Sequence, residues 1–269
     1  MNISVRDLAF LVLALVAPGS LSVVDSHAQS SRFAKWLVHD PVGIVNDWTL
    51  EQTVGVVGAT TTAIALSSMD HYVRDGVQPL YAGEFRSYID IANELGGPRA
   101  TAPVVGIFLL SLGTNNDRFQ DAAFTSLEAL VYSGALNYAV KFASGRYRPE
   151  EERGRYTFRP FSGNTSFPSG HTNAAFAILT PWVIYYPSPV TYGLLFVAAG
   201  GTGFSRIARS RHWASDTFIG GVMGAFIGYQ LAKQHKYQEH LVKDKPVVAL
   251  RPIIGPGFAG LGATINLSR

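Results

Sequence analysis

Six apolar stretches dominate this 269-residue chain. Most are too long for strands and lack strict alternation, which leaves few folds open other than a helical bundle. They cover residues 52–69, 101–113, 122–143, 172–186, 190–204 and 217–232. Gly97-Pro98, Asn115-Asn116-Asp117 and Pro187-Ser188-Pro189 separate some of them and read as turns. The expected fold class is therefore all-α, a helical bundle with six core helices. Hydrophobic residues make up 47% of the chain and charged ones 15%, a balance that excludes a disordered polypeptide. A net charge of +3 is too small for a nucleic-acid binder without a concentrated patch, so no nucleic-acid partner is expected. With no cysteine, neither a disulfide framework nor a thiolate metal site can form.

The two ends differ in kind from the middle. Arg6, the apolar run over residues 8–17 and the small-x-small triplet Ser26-His27-Ala28 read as an export signal over residues 1–28, with Gln29 as the new N-terminus. An uncleaved anchor is the alternative, but ten apolar residues are short of the roughly 20 that a span requires. Residues 30–48 read as a loop-like, tryptophan-containing segment. Residues 29–245 are expected to form the helical domain. Several of its apolar stretches are also too short to span, so the bundle is expected outside the cytoplasm, in the periplasm or cell envelope, with a membrane surface as one partner. In residues 246–269, two apolar runs flank Gly255-Pro256-Gly257 and read as a short β-hairpin, either packed on the bundle or an edge for a partner.

Polar residues that could carry chemistry fall at helix ends in three places. Between Lys141 and Arg159 six basic residues, Arg146 and Arg148 among them, outnumber the acidic ones. Such a loop attracts anions, although a charge run by itself is more often a solvated surface. Next, Pro168-Ser169-Gly170-His171 opens the fourth apolar stretch. Amides at a helix start are unpaired donors suited to phosphate, Gly170 lets the backbone come close, and His171 stands at the mouth. A lone histidine there would ordinarily be a cap. Lastly, Ser205-Arg206 leads to His212 and Asp216, four residues apart, which share one face of a helix. A carboxylate that holds one imidazole nitrogen leaves the other free as base or nucleophile, and an ordinary surface pair is the alternative. An up-and-down helix pair returns the second and third places to the same end of the bundle. Lys141, Arg148, His171, Arg206, His212 and Asp216 can then share one pocket. Three cations, two histidines, an orienting carboxylate and a helix start together describe phosphoryl transfer through a phosphohistidine.

Lys141 through Arg148-Pro149, Pro168 through His171, and Ser205-Arg206 through His212 to Asp216 match the K-x6-R-P, P-S-G-H and S-R-x5-H-x3-D motifs without gap or substitution. The chain thus resembles the type 2 phosphatidic acid phosphatase superfamily, which also holds class A acid phosphatases and vanadium haloperoxidases. The resemblance covers about residues 50–232. It implies that His212 attacks phosphorus, Asp216 holds its tautomer, and His171 protonates the leaving group and then activates water. Lys141, Arg148, Arg206 and the Ser169 and Gly170 amides would bind phosphate. No metal or other cofactor is expected, since no carboxylate cluster accompanies the histidines. The expected activity is hydrolysis of a phosphate monoester or pyrophosphate, with a phosphorylated lipid or a small phosphate ester as the partner molecule. A lipid is the first choice, because the surroundings of the motifs are apolar. A soluble periplasmic acid phosphatase is the alternative, against which Phe167 stands where those enzymes carry tyrosine. A haloperoxidase and a non-catalytic envelope protein rank below both, and oligomeric state is not legible.

Overall fold

The computed structural model describes residues 26–46, 48–243, 247–255 and 258–266. The expected export signal lies outside these residues, except for its last three, which open the first helix. Each of the six apolar stretches is helical, as α2 (Leu50–Ala82), α4 (Thr101–Leu112), α5 (Asp117–Ser144), α6 (Gly170–Tyr185), the run from α7 (Pro189–Leu194) to α8 (Gly200–Ala208), and α9 (Ala214–Lys243). A π-helical turn, Leu195–Ala199, joins α7 to α8. The starts follow from local chemistry. Thr49 and Gln52 form a reciprocal capping box on α2, and the side chains of Asn116, Ser169 and Ser188 accept first-turn amides on α5, α6 and α7.

Two further helices lie where the sequence suggests none. The segment read as a loop is α1 (Ser26–Asn46), which runs through Pro41. Phe33 and Trp36 anchor it in an aromatic cluster with Phe108 of α4 and Phe124 of α5, where Phe33 stacks on Phe124 at 4.5 Å between ring centres. Burial of these rings offsets the cost of holding a proline-containing helix. The second is α3 (Arg86–Glu94), nine residues that bury Ile89 and Asn93 and expose Tyr88 and Ile91.

The described residues group into one compact unit that closes at Ala232 and a second that begins at Lys233. In the first, α5 is central, with Gln120 to Ala129 buried in succession, and it packs most extensively on α6. Helices α6 and α9 meet through glycine. A Cβ on Gly224 would stand 2.1 Å from the Asn173 carbonyl oxygen, so the backbones touch only because none is there. In the second unit, β1 (Val247–Gly255) and β2 (Phe258–Asn266) pair antiparallel, Val247 opposite Asn266 and Gly255 opposite Phe258. Among the described residues no single helix is long and apolar enough to cross a membrane. One bent pair, Arg86–Glu94 with Pro98–Leu112 at 53°, meets that length and apolarity together.

Candidate active site

The turn after α5 sets the geometry of the first basic segment. Gly145 ends the helix with φ +60°, and a Cβ there would lie 1.8 Å from the Arg159 carbonyl oxygen, so the chain can turn only at glycine. Lys141, one turn earlier, donates its ammonium to the carbonyls of Thr165 (2.6 Å) and Pro168 (2.5 Å). Arg148 donates to Thr165 Oγ1 at 2.9 Å. The loop 165–168 is thereby clipped to the basic segment just ahead of α6.

At the α6 start, the Ser169 hydroxyl caps Thr172 N–H, and its own amide donates to the Asp216 carbonyl at 3.0 Å. Ser169 therefore has its donor committed to positioning the helix, and the first-turn amides of Gly170 and His171 are the ones left for an anion. Gly170 packs against Lys141, whose Cε would be 3.6 Å from an added Cβ.

The third segment departs from the expected arrangement of His212 and Asp216 on one helix. Ser210 adopts a left-handed conformation, φ 51°, and the Arg211 and His212 amides fold back onto the Arg206 carbonyl. His212 thus precedes α9, while Asp216 sits in its first turn and accepts the Trp213 amide at 2.9 Å, as an acidic N3 residue does. His212 Nδ1 lies 2.6 Å from the Ser166 carbonyl and 3.7 Å from Asp216 Oδ2. A carbonyl can only accept, so Nδ1 carries the proton and Nε2 presents its lone pair. Asp216 faces the ring mainly through space. Its Oδ2 also accepts the Ser166 hydroxyl at 2.6 Å, and its Oδ1 accepts Arg146 at 2.5 Å.

Lys141, Arg148, His171, Arg206, His212 and Asp216 accordingly share one electrostatic neighbourhood at one end of the bundle. Residues 122–239, which contain them all, match the PAP2 superfamily. Over these residues, less than half of the chain, it is similar to the PAP2 superfamily.

The chain is also similar to three proteins named lipid A 1-phosphatase. One from Porphyromonas gingivalis is 29% identical over 170 residues, which is 61% of this chain and 35% of that protein. Those of Rhizobium johnstonii and Rhizobium etli are 34% and 33% identical over 103 residues, 36% of this chain and 41% and 43% of theirs. The chain thus spans less than half the length of these relatives. A crystal structure of Aquifex aeolicus LpxE aligns with 20% identity and a TM-score of 0.47, over 62% of this chain and 93% of that one.

Burial governs the charge states of this candidate site. Desolvation pushes His212 down to about 3 against the pull of Asp216, so its ring is neutral. The same cause, reinforced by Arg206, His212, Lys141 and Arg209, pushes His171 down to about 3. Lys141 falls to about 7 and Arg206 to about 10, each mainly by burial. Burial would raise the Asp216 carboxyl, but His212, Arg146 and the Ser166 hydroxyl outweigh it and hold it below the usual carboxylate range.

Several residues that shape the site carry no recognisable signal in the sequence. Asn93 of α3 accepts Arg206 at 2.6 Å, and Asp90 pairs with Arg209 at 3.1 Å. Ser166 serves both His212 and Asp216. Arg146 is only 2% exposed and lies between Asp216 and Asp70 of α2. Apart from Arg146, which belongs to the basic run between Lys141 and Arg159, each is a polar residue that nothing beside it in the chain marks out. Only the hydrophobic spacing that folds α3 against α8 could have hinted at Asn93.

Proposed function

We propose that this chain hydrolyses the phosphate of a phosphorylated lipid through a phosphohistidine on His212, outside the cytoplasm. The observation that carries the reading is a buried neutral imidazole with Nδ1–H tied to a carbonyl, beside a cluster of cations. Nε2 is then a ready nucleophile, and Lys141, Arg148, Arg206 and the Gly170 and His171 amides surround the place where phosphoryl charge would spread. The buried Arg206 Nε–H has no acceptor among the described residues, which leaves a donor for an incoming anion.

His171 serves as general acid in the first step and general base in the second. Before phosphate binds, its ring is neutral. A bound phosphate dianion cancels the field of Arg206 and Lys141, so the ring takes up its proton together with the substrate. Asp216 balances the cationic ring that forms when His212 is phosphorylated. The lipid substrate class is supported by the lipid A 1-phosphatases to which the chain is similar and by the exposed apolar side chains Tyr88 and Ile91 on α3, whose buried Asn93 holds Arg206.

The test uses purified protein in detergent, with phosphate release measured from a lipid phosphate monoester, an isoprenyl pyrophosphate and an aryl phosphate. The lipid monoester should turn over fastest, in excess EDTA as well as without it, and vanadate should inhibit. Equal turnover of aryl and lipid phosphates would favour a broad acid phosphatase. Loss of activity in EDTA with recovery in Mg²⁺ would refute the mechanism.

A further inference from the structure

Asp70 lies on α2, some seventy residues before the first motif, outside the stretch that matches the PAP2 superfamily. It is fully buried, a costly place for a carboxylate unless every lone pair is used. Its Oδ1 accepts the Ser215 amide at 2.9 Å, and its Oδ2 accepts the Ser215 hydroxyl at 2.7 Å and Arg146 Nη2 at 2.8 Å. Arg146 Nη1 in turn reaches Ser215 Oγ at 2.8 Å and Asp216 Oδ1 at 2.5 Å. One guanidinium therefore bridges two buried carboxylates, only one of which faces His212.

The charges decide what the second carboxylate is for. Arg146 paired with Asp216 alone would cancel it, and the neighbourhood of His212 would be neutral. With Asp70 present the triad carries a formal charge of −1. His212 is neutral before attack, whereas its ring is cationic once Nε2 bonds to phosphorus and the leaving group departs with its electron pair and the proton from His171. A site with net −1 stabilises that state over the resting one, which is what accelerates the step. We infer that Asp70 is a positioning residue that acts through Arg146. It holds the guanidinium and takes up its charge, so that the Asp216 charge remains available to the phosphorylated His212. This inference rests on the functional reading above.

Three variants test it: Asp70→Asn, Asp70→Glu, and Asp70→Asn combined with Arg146→Gln. The last restores the −1 by removing the cation along with the anion. Rapid-quench trapping measures phosphohistidine formation with a lipid phosphate, steady-state kinetics separates kcat from KM, and thermal unfolding checks the fold. Outer partners of metal-bound histidines matter by about 10–100-fold, and the same order is expected for this one. Asp70→Asn should slow phosphohistidine formation by that order with KM little changed. Asp70→Glu should stay closer to wild type, and the pair should recover much of the lost rate.

A merely structural Asp70 predicts the opposite for the pair, since two buried contacts are then lost instead of one. Phosphorylation by Asp70→Asn at the wild-type rate, or by the pair more slowly than by Asp70→Asn, overturns the role. Should Asp70→Asn not fold, a folded pair or Asp70→Glu that forms no phosphohistidine overturns it equally. Failure of all three to fold assigns Asp70 to stability alone. Absence of phosphohistidine in the wild-type chain refutes the functional reading itself, and this inference with it.

Discussion

At the scale of single residues, the two histidines are alike in charge, His212 buried and His171 half-buried, and both pushed down to about 3. What separates them is position. His212 has Nδ1 fixed by the Ser166 carbonyl, while His171 stands on the first turn of α6 among three arginine and lysine charges. His212→Ala should abolish both phosphohistidine and turnover. His171→Ala should depend on the leaving group, because a nitrophenolate departs unprotonated and a lipid alkoxide does not. General-acid help is worth about 10²–10⁴-fold, so the lipid defect should exceed the aryl defect within that range. Equal defects for both esters would remove His171 from the acid role. Lys141 adds a pH dependence whose sign is set by its fall to about 7. Below that pH the ammonium is charged and attracts an anion; above it, binding must also pay for a proton. Sulfate keeps its charge from pH 6 to 9, so its affinity should weaken as pH rises through about 7, by at most about tenfold per unit. Calorimetry on wild type and Lys141→Arg checks this, and an unchanged slope in Lys141→Arg would point to His171 as the titrating group.

At the scale of elements, the site depends on how closely α6 and α9 approach. His171 opens one and Asp216 the other, and the Ser169 amide donates to the Asp216 carbonyl only because glycines let the helices touch. Gly224→Ala should therefore destabilise the fold by about 1–3 kcal/mol or more, as overpacking does. Gly193 in α7 offers the contrast, since an added Cβ meets nothing within 4 Å. Gly193→Ala should be neutral or stabilising by up to about 1 kcal/mol. Denaturant unfolding of both variants provides the comparison, and similar midpoints for the two would contradict the close-packing account.

At the scale of the whole molecule, the first unit exposes much apolar side-chain surface. On α2 alone Leu50, Val54, Val57, Ile64 and Tyr72 are more than half exposed. Patches of this kind mark a partner or a lipid surface. The protein should float with anionic lipid vesicles, and retention in the dense fraction would argue for a soluble ester as substrate. The export reading has its own check. Intact-mass measurement on protein from an exporting host should find the chain beginning near Gln29, and recovery of Met1 would contradict it.

The sequence by itself determined the helical class and the residue types of the site. Long apolar runs without alternation admit little but helices, and the three motifs name their chemistry through fixed spacings along the chain. The hairpin was readable for the same local reason, from two apolar runs around Gly255-Pro256-Gly257. Helix α1 was not, because Pro41 and mixed polarity argue locally for a loop, and only the burial of Phe33 and Trp36 against α4 and α5 makes the helix worthwhile. The tertiary structure alone decided that the Ser166 carbonyl accepts a hydrogen bond from His212 Nδ1–H, that Asn93 holds Arg206, and that Asp70 shares Arg146 with Asp216. These contacts join residues 46 to 113 positions apart. No periodicity or motif encodes them, since a hydrogen bond between distant elements depends on how helices pack and not on what neighbours a residue in the chain.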